Sequence, residues 1–181
     1  MDTKFYKVIY SGDYSKKKGK YGIIFSKLEF DHHLIEDQTP LAINILKDIV
    51  YEFRIIDNSN ELADVPLSVP MLRLVSEKMK LILDPFLESN FIDFYPIAVE
   101  KDNISFQYYL LHFQKINYSS FIKIEFLNSS YVVTLRKEDL EGIDIFKTHL
   151  NDSFYYISER IKTEFEKQKI TGISYVDTIL I

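Results

Sequence analysis

Val75-Ser76-Glu77-Lys78-Met79-Lys80-Leu81-Ile82-Leu83 and, 82 residues further on, Ile157-Ser158-Glu159-Arg160-Ile161-Lys162-Thr163-Glu164-Phe165 repeat one pattern. In each, a serine stands where a helix begins, and its hydroxyl suits an otherwise unpaired first-turn amide. A glutamate follows, facing the positive end of the helix dipole. Apolar residues then fall three and seven places past the serine, Met79 and Leu83 in one copy and Ile161 and Phe165 in the other. That spacing lies on one helix face, so each helix is expected to lay a similar stripe on a sheet. The first helix is expected to end at Pro85 and the second to run to about Lys169. A strand follows each, Phe91–Ile97 and Thr171–Val176. Two helix-to-strand units this alike point to a duplicated building block or to convergent use of one cap, and the sequence leaves both open.

The rest of the chain reads mainly as strands. Phe5–Tyr10 is β-branched and aromatic, and Ser11-Gly12-Asp13 stops it. Tyr21–Phe30 predicts a second strand, Leu41–Val50 a helix opened by Pro40, and Tyr51–Ile56 a further strand. Residues 57–70 form an irregular connection, too short and too apolar at Val65, Leu67 and Val69 for a domain linker. Ser105–Gln114 is apolar on both faces, as a buried strand would be. Phe121–Leu127 alternates around Lys123 and Glu125, and Asn128-Ser129-Ser130 turns it into Tyr131–Leu135 as a hairpin. Phe146–His149 and Phe154–Ile157 flank Asn151-Asp152-Ser153 and suggest another hairpin or a strand and its turn. The expected fold is therefore one α+β domain over residues 1–181. It is expected to hold a mostly antiparallel sheet with two or three short helices packed on it.

Composition narrows the function. Of 181 residues, 46% are apolar and 27% charged, enough for a real core and against global disorder. There is no cysteine, which excludes disulfide scaffolds, thiolate zinc sites and cysteine nucleophiles and fits a reducing cytoplasm. No apolar run has signal-peptide or membrane-spanning length, so neither export nor a membrane role is expected. The net charge is −5, unevenly spread: residues 1–27 carry seven lysines against Asp2 and Asp13. The Lys16–Lys20 run reads as a solvated loop, since it lacks the interleaved aromatics and arginines of a nucleic-acid patch. Residues 28–75 hold nine acids against Lys47, Arg54 and Arg73. Such a field repels nucleic acid and attracts a basic protein, or simply keeps the surface solvated.

Catalytic signatures are missing. The five glycines, at 12, 19, 22, 142 and 172, form no phosphate-binding loop, and no Gly-x-Ser-x-Gly elbow occurs. Asp31-His32-His33 and Glu36-Asp37 gather metal-ligand types, but neighbouring histidines on a strand point to opposite faces. His112 lies in an apolar strand and reads as a satisfied core or subunit-facing histidine. Carboxylates are abundant without any pattern that converges two of them, so no catalytic residue, metal or cofactor is expected. Glu77 and Glu159 read as helix-start residues first and as partner contacts second.

Six ordered pieces, three in each half, resemble a known family. Pro70–Lys80, Phe94-Tyr95-Pro96-Ile97 and Tyr108-Tyr109-Leu110-Leu111-His112 carry one half of the likeness. Ile145-Phe146, Tyr156–Lys162 and Thr171-Gly172-Ile173-Ser174-Tyr175 carry the other. In order and spacing, over about residues 65–178, they resemble the immunity-protein 43 family of bacterial polymorphic toxin systems, first described as a domain of unknown function. The resemblance implies a cytoplasmic antidote that binds a cognate toxin domain and blocks it. It supplies no catalytic residues. An acidic antidote suits a basic toxin such as a nuclease, which makes Glu29, Asp31, Glu36, Asp37, Asp57, Glu61 and Asp64 the expected partner-binding residues. An adaptor domain with a non-toxin partner, or an enzyme using carboxylates on a small molecule, are the competing readings.

Overall fold

The computed structural model describes residues 4–10, 23–26, 51–54, 62–69, 71–127, 130–148 and 154–181. The helix expected over Leu41–Val50 and the Lys16–Lys20 loop lie outside the described residues. The strands are β1 (Phe5–Tyr10), β2 (Ile23–Ser26), β3 (Tyr51–Arg54), β4 (Ser68–Val69), β5 (Leu74–Ser76), β6 (Ile92–Lys101), β7 (Ile104–Phe113), β8 (Phe121–Leu127), β9 (Ser130–Leu135), β10 (Ile145–Phe146), β11 (Tyr155–Ser158) and β12 (Ile173–Leu180). The helices are α1 (Glu77–Leu83), α2 (Leu87–Asn90) and α3 (Glu159–Lys167). The class is α+β.

The strands form two six-stranded sheets rather than one, in the orders β10-β11-β1-β12-β9-β8 and β4-β2-β3-β6-β7-β5. Both are mixed. β12 runs parallel to β9, β3 parallel to β6 and β2 parallel to β4, while the other described pairings are antiparallel. The two sheets repeat each other. β5-β7-β6-β3-β2 and β11-β1-β12-β9-β8 have the same order, and each adjacent pair has the same direction in both. The register agrees as well, since Val75 faces Tyr109 one place before the first serine, and Ile157 faces Tyr6 one place before the second. The counterpart of β7 in the second unit is β1, at the opposite end of the sequence. The chain thus closes its second unit with its first strand.

Local chemistry accounts for the elements. Pro85 ends α1 as expected, but it opens a 3-10 turn at Asp84–Phe86 that leads into α2, which Phe91 closes in the left-handed region. Pro96 lies inside β6, yet β3 pairs with β6 only at Val99 and Glu100. Where Pro96 sits, no described strand needs an amide from that side. β6 and β7 form one long hairpin whose turn, Asp102-Asn103, has both residues at positive φ, 51° and 63°. β8 and β9 form the expected hairpin, and β10 pairs with β11.

Met79, Leu83, Ile161 and Phe165 are fully buried, as their spacing requires. They share one core with Val8, Leu111, Phe113, Ile145, Tyr155 and Ile157, so both helices and both sheets meet in a single apolar layer. The opposite faces bury separate clusters. Leu72, Leu74, Ile97, Val99 and Leu110 form one, and Phe5, Val133, Leu135, Phe146 and Tyr156 the other. The residue 57–70 connection is packed rather than free where it is described, with Ala63 and Val65 buried.

Candidate functional site

Each helix start is held by an aspartate brought in from an earlier segment. The Asp64 carbonyl accepts from the Ser76 amide at 2.7 Å, and its carboxylate accepts from the Ser76 hydroxyl at 2.7 Å. Asp144 repeats both bonds on Ser158, at 2.7 and 2.6 Å. The base two places past each serine completes the set, with Lys78 Nζ 3.5 Å from Asp64 and Arg160 Nη2 2.6 Å from Asp144. The two serines have nearly the same backbone, φ −71° and ψ 164° against φ −70° and ψ 162°. They differ in one bond. Ser76 also accepts from the Met79 amide at 3.3 Å, as a capping serine should, whereas the Ser158 hydroxyl makes no bond to the helix. The expected side-chain cap on the second helix is therefore replaced by the Asp144 clamp.

The glutamates after the serines also act alike. The Tyr6 hydroxyl donates to Glu159 Oε2, and a hydrogen bond to Glu77 is the leading cause that raises the Tyr109 phenol above its ordinary pKa. Four places past each serine a lysine covers the same tyrosine: Lys80 lies over Tyr109 and Phe94, Lys162 over Tyr6 and Tyr175. Burial lowers the Lys162 pKa, but Glu166, Tyr6 and Glu159 outweigh it and leave the group raised.

The two helices lie side by side in opposite directions. Lys78, at the start of α1, donates to the Lys169 carbonyl beyond the end of α3 at 3.3 Å. Arg160, at the start of α3, stacks 4.6 Å from the Phe86 ring beyond the end of α1. A cation thus sits at the negative end of α3. Between the helices runs an open groove of about 850 Å³. Leu81, Ile82, Pro85 and Phe86 form its apolar part, and Lys78, Arg160 and Glu164 its charged rim. Leu81 is 59% exposed there. Such a surface can bury apolar side chains of a partner and pair charges of both signs around them. A second depression, about 890 Å³, lies beside the Lys137–Asp144 segment and is rimmed by Lys137, Glu138, Glu141 and Arg160.

Of the acidic residues expected to bind a partner, Glu29, Asp31, Glu36, Asp37, Asp57 and Glu61 lie outside the described residues. Asp64 is described and turns inward. Its side chain is 14% exposed, and one carboxylate oxygen also accepts from the Thr171 amide at 2.9 Å and the Thr171 hydroxyl at 3.0 Å. It serves as an internal clamp, because a carboxylate this enclosed is satisfied by the donors around it. Asp144, Arg160 and the paired tyrosines escaped the sequence reading. An aspartate 12 residues before one serine and 14 before the other, with a base two places after each, is the signal that marks them. His112 is buried against the Tyr95 ring, with Nδ1 3.8 Å from Asp93. No three His, Asp or Glu side chains gather as metal ligands among the described residues. Among those residues, no helix is long and apolar enough to cross a membrane.

No family model matches the chain, and no curated protein matches it either.

Proposed function

We propose that this protein is a non-catalytic binding protein, an immunity protein that neutralises a cognate bacterial toxin domain by occluding it in the cytoplasm. The observation that carries the reading is the open groove between α1 and α3. It offers an exposed apolar part and a rim of both charges, and two matched clamps bond the helix starts that flank it. A surface already ordered by such bonds loses less conformational freedom on binding, which favours tight inhibition. The ordered resemblance over about residues 65–178 supports a toxin as the occupant, and the acidic balance supports a basic protein rather than nucleic acid or a membrane. The repeated topology and clamps support a scaffold made by duplication of one α+β unit, predominantly antiparallel in each copy.

Co-expression with the toxin candidate of the neighbouring gene tests the function. Rescue of growth together with co-purification is the expected result, and failure of both removes the reading. Leu81→Glu is expected to weaken the complex at least about tenfold by placing a charge in the groove. Reversal of Asp31, Glu36 and Asp37 is expected to weaken it mainly at low salt. Unchanged affinity after that reversal discards the acidic stretch as the contact surface.

A further inference from the structure

The repeated sheets differ at both edges: among the described residues β10 flanks β11 with no counterpart beside β5, and the other edge differs as well. In the first, β4 pairs with the outer side of β2, Ser68 beside Ile24 and Val69 beside Phe25. The counterpart of β2 in the second sheet is β8, and among the described residues β8 pairs only with β9. Among those residues β8 is an edge strand, with a register shift between Phe121 and Lys123 and regular pairing to β9 from Lys123 on, and a regular edge readily accepts another strand.

The side chains of β8 say which strand fits. Ile124 stands opposite Val133, on the face where Val133, Leu135 and Phe121 enter the core. Along that face the apolar surface runs out past the covered core, with Ile124 47% and Phe126 63% exposed. On the other face Lys123 and Glu125 are two places apart and ion-paired at 2.9 Å. Around Ile124 the sequence Ile122-Lys123-Ile124-Glu125-Phe126 is complementary to its own reverse. An antiparallel copy centred on Ile124 puts Lys123 opposite Glu125 twice and Ile124 opposite itself, all within the regular part of the strand.

Other registers lose this match. Centring on Lys123 or Glu125 sets like charges opposite each other, which is unfavourable. A shift by one residue turns the apolar face of one strand against the charged face of the other. A lone lysine on an edge strand keeps other strands away, whereas a lysine with a glutamate two places on repels all but a strand carrying the reverse order. We propose that β8 is a homodimer interface, in which two copies of this chain join antiparallel through β8 about Ile124 and make one continuous sheet across both. This goes beyond the toxin-binding reading and does not depend on it.

Sedimentation equilibrium of the full chain, with no toxin present, tests the pairing through charge swaps at exposed positions. The wild type is expected to dimerise at about 100 µM. Lys123→Glu and Glu125→Lys, each altering both cross-strand pairs, are expected to weaken dimerisation at least about tenfold while keeping the wild-type circular dichroism and melting temperature. An equal mixture of the two single variants is expected to form heterodimers, because one then carries two acids and the other two bases. The double swap, Lys123→Glu with Glu125→Lys, is expected to restore self-association. A monomeric wild type at that concentration overturns the proposal and leaves the edge to a strand of some other protein. Single variants that dimerise like the wild type, or a mixture that does not associate, overturn it as well.

Discussion

Asp64 takes hydrogen bonds from the Ser76 hydroxyl and from both the amide and the hydroxyl of Thr171, so one carboxylate joins a helix start in one unit to the strand entry of the other. Removing it leaves several enclosed donors without an acceptor. Asp64→Ala is expected to cost about 3 kcal/mol in urea denaturation, and Asp144→Ala about 2, since Arg160, one of the donors to Asp144, is exposed and can return to water. A loss no larger than that of a surface carboxylate would show that the clamp contributes nothing. Beside Thr171, Gly172 has φ 86°, and a Cβ there would lie 2.1 Å from the Val65 carbonyl oxygen and 2.8 Å from the Ala63 Cβ. Gly142 also has positive φ, 73°, but its Cβ would meet nothing within 4 Å. Gly172→Ala is therefore expected to cost more than about 3 kcal/mol, and Gly142→Ala about 1, the backbone penalty alone. Equal losses at the two sites would contradict the close approach.

At the scale of elements, the hairpin β6–β7 rests on a two-residue turn without glycine. Two positive φ values are what a type I′ turn requires, and Asn tolerates them better than most side chains. Asn103→Gly is expected to raise stability by about 0.5 kcal/mol and Asn103→Val to lower it by at least about 1, measured by thermal melting. The same turn shows why part of the fold was hidden. The sequence marks strands near Phe91–Ile97 and Ser105–Gln114, yet without an Asn-Gly or Asp-Gly pair nothing joins them into one hairpin. What periodicity marks is local: the buried stripes of α1 and α3, the β8–β9 hairpin and the β10–β11 pairing all lie within short stretches. The pairing of β1 with β11 and β12 spans nearly the whole chain, and no local pattern encodes it. For the same reason the groove between α1 and α3 was illegible. Its residues are separated by about eighty positions in sequence, and only packing brings Arg160 onto Phe86.

For the whole molecule, the tyrosines set how the fold responds to alkali. Tyr155 lies in the shared core, and burial holds its phenol well above the ordinary value of 10.0. Burial also raises Tyr6 and Tyr175, with the bond to Glu159 adding to Tyr6. Lys162 is raised too. Raised groups in the folded state keep their protons after the same groups in the unfolded chain have released them. The stability they contribute is therefore complete below about pH 10 and is lost as pH climbs from there toward the folded values. A single group as buried as Tyr155 removes about 1.4 kcal/mol for each pH unit across that window. Because Tyr155 sits among Tyr6, Val8, Phe113 and both helices, it cannot ionise while the two sheets stay closed on one core. Part of the tyrosinate absorbance is thus expected to appear in one cooperative step, together with the loss of far-ultraviolet circular dichroism. Tyr155→Phe is expected to move that step to higher pH and to change stability at neutral pH by no more than about 1 kcal/mol. Gradual titration of all tyrosines before any loss of secondary structure would mean that the shared core opens without unfolding, and that the two units part more easily than their common layer implies.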